Sequence, residues 1–81
     1  SPKRRMTFKD KHALETLPGE IAAMQARAKA LSDRLADANF YARDRSGFED
    51  ATAELGALQH EIMAAEERWL KLEIQREALE S

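Results

Sequence analysis

The stretch "ANFYARDRSGFED", residues 38–50, interrupts a chain whose residues otherwise favour helix almost throughout. Two aromatic residues, Phe40 and Tyr41, stand side by side in it, and Ser46–Gly47 follows a short run of arginines and aspartate. Aspartate, serine and glycine favour turns over helix interiors, through side-chain hydrogen bonds to the backbone or through backbone freedom. The stretch therefore predicts a bend, and the sequence on its two sides decides what the bend joins.

Apolar residues recur on both sides of this bend at alternating steps of four and three. The set before the bend is Leu17, Ile21, Met24, Ala28, Leu31, Leu35 and Ala38. The set after it is Phe48, Ala51, Leu55, Leu58, Ile62, Ala65, Trp69, Leu72 and Leu79, with Arg76 as a single break in the pattern. This spacing is typical of the apolar seam of a coiled coil. Two such helices with a short connection predict an all-α fold, an antiparallel two-helix coiled-coil hairpin.

Two local signals predict how the first half of the chain is divided. Thr7 can cap a short helix over about residues 7–16, because its hydroxyl can accept a backbone N–H of the first turn. Pro18 suits the first turn of a following helix, where its missing N–H would be unpaired anyway. Proline also disfavours helix at the residue before it, so a break is expected at Leu17 and a second helix over about 18–38.

A third signal predicts where the last helix begins. Ser46 and Glu49 have the spacing of a capping box, in which each side chain bonds the backbone N–H of the other residue. The bend is therefore expected over residues 39–46 and the last helix over about 47–79.

Pairing across the bend leaves one end of the last helix uncovered. If Ala38 faces Phe48, Leu17 lies opposite Trp69, and residues 70–81 have no partner in the second helix. The short N-terminal helix is therefore expected to pack on that far end of the last helix. The residues available for this contact are Met6, Phe8, Ala13 and Leu14.

The same pairing places Gly56, inside the predicted last helix, near Ala30. Glycine in a helix interior costs about 1 kcal/mol relative to alanine. Two small residues at this level would let the helices approach closely, and this is the reason expected for the glycine.

Catalysis has little support in this composition. His12 and His60, the two histidines, lie in different predicted helices, and there is no cysteine for a disulfide, a nucleophile or a cysteine-rich zinc site. The three glycines are dispersed, so no phosphate loop exists. The chain is expected to hold no catalytic residue, no metal and no cofactor. The lack of cysteine, of a signal peptide and of an apolar run long enough for a bilayer fits a cytoplasmic protein.

Charge is distributed unevenly along the chain. Residues 1–12 carry five basic residues against one acidic residue, whereas residues 46–81 carry nine acidic residues against three basic ones. Basic side chains that neutralise phosphates release counterions and give affinity that does not depend on sequence. The N-terminal basic group consists of Lys3, Arg4, Arg5, Lys9 and Lys11. The bend-side basic group consists of Arg27, Lys29, Arg34, Arg43 and Arg45.

Alternatives remain open for these groups and for the aromatic residues. The N-terminal run is either a solvated linker or a phosphate contact. Phe40 and Tyr41 either close the end of the core, with Phe40 packing on Phe48, or form an aromatic tip that grips nucleic acid. Trp69 is either a packing anchor or a binding residue. The acidic last helix would repel nucleic acid, so any contact is expected on one side or at the ends.

Several motifs in order resemble the C-terminal domain of ABC-F ATPases of the Uup type. They are the lysine-rich lead with Leu17–Pro18, the Phe40–Tyr41 pair followed by Asp44, and Glu67–Arg68–Trp69 near the end of the second arm. The resemblance covers residues 6–75. Arg45 departs from it, because the family often carries proline after the aspartate.

The resemblance implies that the chain is part of a longer protein. Residues 1–6 would be a basic linker from an upstream ATPase domain, and residues 7–81 the coiled-coil hairpin domain. ATP and magnesium would act in the two ATP-binding cassettes of that soluble parent protein. This chain itself would hold no cofactor. The implied partner is DNA, with the ribosome or ribosomal RNA as the alternative, and with the parent's own ATPase domains in cis. A monomer is expected. The rival function is a protein-interaction arm or a structural spacer.

Overall fold

The computed structural model describes residues 5–80, and it forms three helices. They are α1 (Phe8–Leu35), α2 (Phe40–Arg43) and α3 (Arg45–Glu80). Helices α1 and α3 lie antiparallel along each other, and α2 is a single turn in the bend between them. The molecule is a rod of 62 × 16 × 16 Å. The predicted all-α antiparallel hairpin is confirmed. None of these three helices is both long and apolar enough to cross a membrane.

Helix α1 runs through the predicted break without interruption. Thr7 caps it as expected, because the Asp10 N–H donates a hydrogen bond to Thr7 Oγ1 at 3.0 Å. Pro18 lies inside α1, so the break at Leu17 and the separate helix over 7–16 are wrong. Leu17 is buried against α3, and most helical stability in proteins comes from such packing. Packing at Leu17 therefore holds the helix through a residue that would otherwise end it.

The predicted seam forms the contact between α1 and α3. Its members from Leu17 to Leu35 and from Phe48 to Leu79 are buried or partly buried, and Arg76 is exposed as the break in the pattern indicated. Ala38 is exposed, because α1 ends at Leu35. The buried residues of the described range form two clusters. The bend cluster is Leu31, Phe40 and Ala51, with Leu35, Phe48, Leu55 and Leu58 packed against it. The far-end cluster is Ala13, Leu17 and Leu72, with Met6, Leu14, Ile21, Ala65 and Trp69 packed against it.

The start of α1 covers the far end of α3, as predicted. Ala13 is buried beside Leu72, and Met6 and Leu14 pack against the same cluster. Phe8 does not take part, and its predicted packing role is wrong, since it is 86% exposed. Phe8 and Leu17 are nine residues apart, which is an odd number of half-turns at 3.6 residues per turn, so they lie on opposite faces of α1.

Aromatic rings close the core at the bend. Phe40 is 2% exposed and packs in the bend cluster with Leu35 and Phe48 around it, as predicted. The Phe40 and Phe48 rings meet edge to face with centroids 5.7 Å apart, and Tyr41 meets Phe48 in the same way at 5.2 Å. The Arg34 guanidinium lies 4.6 Å from the Phe40 ring centroid. Phe40 therefore closes the core at the bend, and Tyr41 packs on Phe48 while remaining half-exposed.

The cap of α3 is supplied by Asp44 and not by Ser46. The Gly47 N–H donates to Asp44 Oδ1 at 2.9 Å, and α3 begins at Arg45. Ser46 lies within the helix, and the Glu49 carboxylate pairs with Arg45 at 3.3 Å, so the predicted capping box is wrong. A carboxylate is favoured over a hydroxyl here because the N–H groups at a helix N-terminus carry partial positive charge.

Substitution of Asp44 should lower the stability of the chain, whereas substitution of Ser46 should not. Asp44→Ala is expected to lower the free energy of unfolding by about 0.5–2 kcal/mol, because the Gly47 N–H loses its acceptor. Ser46→Ala serves as the matched control and should change it by less than about 0.5 kcal/mol. Urea unfolding followed by circular dichroism measures both. A larger loss for Ser46→Ala than for Asp44→Ala would show that the cap is misassigned.

The glycines of α3 allow a second test. A Cβ added at Gly56 would meet nothing within 4 Å, so the expectation that Gly56 permits a close helix approach is wrong. Gly56→Ala should therefore raise the free energy of unfolding by about 0.5–1 kcal/mol through lower backbone entropy in the unfolded chain. A Cβ at Gly47, in contrast, would collide with the Asp44 carboxylate. Gly47→Ala should therefore raise the free energy of unfolding by less than Gly56→Ala, or lower it. A higher urea midpoint for Gly47→Ala than for Gly56→Ala would contradict what is said of both glycines.

Candidate nucleic-acid interface

The N-terminal basic group lies at the start of α1. Lys3 and Arg4 are outside the described residues, whereas Arg5, Lys9 and Lys11 are all exposed. Lys9 and Lys11 stand on the first turn of α1, whose start is fixed by the Thr7 cap. Across residues 5–80, none of these three side chains forms an ion pair with a carboxylate. Their charges are therefore available to an external anion.

An aromatic residue stands among these cations, and the sequence interpretation missed it. Phe8 projects from the face of α1 opposite to Leu17, and its ring lies nearly parallel to that of His12, with centroids 6.5 Å apart and an angle of 11°. At 3.6 residues per turn, Lys9 and Lys11 flank these two rings on either side. The spacing of Phe8 from the seam was the signal that could have shown it to face outward.

The bend-side basic group is engaged within the molecule. The Arg27 guanidinium forms two hydrogen bonds with the Glu54 carboxylate, at 2.7 and 2.9 Å. Three further cations pair with carboxylates of the chain, and Arg34 lies over the Phe40 ring. Those pairs are Lys29–Asp33 at 2.9 Å, Arg43–Asp37 at 3.4 Å and Arg45–Glu49 at 3.3 Å. A phosphate approaching this group would also meet these carboxylates, so it is a weaker anion site than the N-terminal group.

The structure does not bring the two basic groups together. Lys9 and Lys11 lie at the far end of the rod, whereas Arg43 and Arg45 lie at the bend. Arg27 stands between them on α1, held against α3 by Glu54. One nucleic-acid duplex lying along the whole rod would meet the acidic α3, so contact at the N-terminal end is favoured.

Hydrogen bonds lower the pKa values of two carboxylates, Glu54 and Asp37. The hydrogen bond from Arg27 lowers the pKa of Glu54, and the same bond raises the pKa of Arg27. The backbone N–H of Asn39, which donates to Asp37 Oδ1 at 3.0 Å, lowers the pKa of Asp37, with a smaller contribution from Arg43. Both carboxylates are thereby held in the charged form beside cations of the bend-side group.

A groove separates the start of α1 from the end of α3. It has a volume of about 680 Å³, and its lining includes Arg5 and Lys11 on one side and Glu73 and Glu80 on the other. Arg76 in the same lining is hydrogen-bonded to Glu73 at 2.6 Å. Because the groove carries both signs of charge, it is not a strong anion site. The face of α1 that carries Phe8 points away from α3 and is the better candidate.

Comparisons with known proteins agree with the extent of this fold. A family model described as the ABC transporter C-terminal domain matches residues 5–74, which include α1, α2 and most of α3. The chain is 30% identical over 69 residues to the ATP-binding protein Uup of Escherichia coli (strain K12). That alignment covers 85% of this chain and 11% of the relative, so the chain spans about a ninth of the relative's length. No solved structure matches the chain.

Acid should weaken the Arg27–Glu54 pair in a defined pH range. The pKa of Glu54 is lowered in the folded chain, so the stability from this pair is present above the ordinary value of 4.5 and is lost as the pH falls through the folded value. Glu54→Gln should therefore lose less stability than the wild type between neutral pH and acid. Glu61→Gln, which alters an exposed α3 carboxylate outside these ion pairs, is the control and should follow the wild type. Urea midpoints over a pH series measure this, and identical curves for Glu54→Gln and wild type would contradict it.

Proposed function

The chain belongs to the ABC transporter C-terminal domain family, and from this premise we propose that it is a non-catalytic DNA-binding domain of a longer ATP-binding protein. Binding is electrostatic and largely independent of sequence. The observation that carries the proposal is that Arg5, Lys9 and Lys11 make no ion pair within residues 5–80, whereas most of the bend-side basic group does.

The physical reason lies in what an unpaired cation can do at a nucleic-acid backbone. Each basic side chain that neutralises a phosphate releases condensed counterions, and this release drives binding without reading the bases. A cation already paired with a carboxylate adds less, because the carboxylate repels the phosphate or must be displaced. The proposed contact residues are therefore the N-terminal basic group first, and the bend-side basic group second.

The acidic helix α3 restricts the geometry of this contact. The helix, Arg45–Glu80, holds nine acidic residues against four basic ones. DNA that followed the rod closely on both sides would meet these like charges. We place the DNA on the outward face at the start of α1, where the hairpin acts as an arm that presents one basic end.

We also infer that the chain is part of a longer ATP-binding protein. The Uup protein is named as an ATP-binding protein, and the parent of this chain would bind ATP and magnesium in its cassettes, not in residues 1–81. We place the parent in the cytoplasm, with the domain acting as a monomer beside its own ATPase domains. Ribosomal RNA offers the same phosphates as DNA and is a separate outcome of the test.

The test is the salt dependence of DNA binding by the 81-residue chain. The affinity for a fluorescent duplex, measured by anisotropy between 50 and 200 mM salt, should fall as salt rises. In a plot of log affinity against log salt concentration, the magnitude of the slope should become smaller by about 0.9 for each phosphate contact removed. The triple variant Arg5→Ala, Lys9→Ala, Lys11→Ala should show this decrease.

The matched control removes the same charge elsewhere on the rod. The variant Lys29→Ala, Arg43→Ala, Arg45→Ala should keep most of the wild-type slope, because its cations are paired with carboxylates in the wild type. Equal losses in both variants would contradict the assignment to the N-terminal group. No retention of DNA at low salt would refute DNA binding, and retention of RNA alone would make RNA the ligand.

A further inference from the structure

We propose that Phe8, together with His12, stacks an unpaired base, so that single-stranded DNA is the preferred ligand at the N-terminal basic group. The inference rests on the proposed function, because Arg5, Lys9 and Lys11 would hold the phosphates of the same strand. Phe8 would add a contact to the faces of the bases and, with it, a preference for an unpaired strand over a duplex.

Packing in the core does not account for an aromatic side chain at position 8. It belongs to neither the bend cluster nor the far-end cluster, and it is 86% exposed as the first residue of α1. Within residues 5–80, its ring contact is with His12, at a centroid distance of 6.5 Å. A phenylalanine in this position leaves most of its ring faces in water, where a planar apolar partner would cover them favourably.

The other large exposed apolar residues do not offer the same site. Tyr41 is half-exposed, but its ring meets Phe48 edge to face and lies 5.7 Å from the Arg45 guanidinium. Met63, Leu70 and Ile74 are aliphatic residues on the acidic helix α3. Phe8 alone among the large exposed apolar residues of the described range combines an open aromatic ring with neighbouring cations that make no ion pair there.

The chemistry of the surface selects an unpaired base. Aromatic side chains stack on bases of any sequence, and proteins that bind single strands combine such rings with cations that track the backbone. In a duplex the faces of each base are covered by its neighbours in the stack, whereas an unpaired base has a face free for Phe8. Because the rings of Phe8 and His12 differ by 11°, a base stacked on one lies nearly parallel to the other.

The charges around Phe8 set the direction in which the strand can run. At helical spacing, Lys9 and Lys11 lie on the two sides of the ring and can reach the phosphates before and after the stacked base. Glu15 lies on the same face two turns further along α1, and its carboxylate opposes a phosphate there. The strand should therefore leave the surface toward Arg5 and not along the length of α1.

The test compares a labelled oligothymidine with a duplex of the same length, by anisotropy at low salt. Phe8→Ala should weaken binding of the single strand by about 5- to 100-fold, the loss typical of one stacked base, and should change duplex affinity by less than about 2-fold. Phe8→Leu, which keeps an apolar side chain without a ring face, should lose as much affinity for the single strand as Phe8→Ala. Phe8→Trp, which keeps an aromatic ring, should bind the single strand as tightly as the wild type. Met63→Ala, which removes an exposed apolar residue on α3, is the control and should bind as the wild type.

Each outcome separates this inference from the proposed function. If Phe8→Ala or Phe8→Leu binds the single strand as tightly as the wild type, while the Arg5, Lys9, Lys11 variant loses affinity, stacking is refuted and electrostatic binding stands. If the wild type binds neither strand nor duplex, both proposals fail. Proton NMR gives an independent readout, because stacking should move the Phe8 ring protons upfield on titration with oligothymidine, and unmoved protons in the bound state would also refute it. Thermal unfolding should be unchanged in Phe8→Ala, since the ring is outside the core.

Discussion

Contact between the apolar seams of α1 and α3 is the interaction on which the rest of this structure depends. The rod is 16 Å across, so each long helix can bury a single stripe of side chains against the other. Burial is concentrated in the bend cluster around Leu31 and the far-end cluster around Leu17, one toward each end of the rod. Outside the seam and the two clusters, most of the residues that the structure describes are exposed, so this small chain presents charged and aromatic side chains directly to solvent.

The far-end cluster explains why α1 tolerates Pro18 followed by Gly19. Both residues are poor in helix interiors, because proline lacks an N–H and glycine has the largest backbone entropy to lose. They are exposed, while Leu17 and Ile21 on the inner face pack with Leu72 and Trp69 of α3. Packing on one face of the helix therefore outweighs poor local propensity on the other. The same continuity carries the start of α1 across the end of α3 and fixes the orientation of Phe8 and the lysines.

Pairing of charges divides cations that look equivalent in the sequence. Arg27, Lys29, Arg43 and Arg45 each find a carboxylate within the hairpin, three of them close in sequence and one across the interface with α3. Arg5, Lys9 and Lys11, in contrast, form no ion pair within residues 5–80. The hairpin thus has one end whose charges are largely neutralised internally and one end whose cations remain available.

The sequence by itself determined the hairpin, its seam and the cap at Thr7, because these follow from spacing at three and four residues and from short-range hydrogen bonds. It also placed Phe40 against Phe48, since rings beside a bend close the core. Only the tertiary structure decided that α1 continues through Leu17–Pro18, because this depends on the packing of Leu17 against a residue 55 positions away. The tertiary structure also decided that Asp44, and not Ser46, caps α3. It decided which cations are paired with carboxylates, and that Phe8 faces outward from the core. Each of these choices rests on which groups the folded chain brings into contact, and local spacing carries that information only in part.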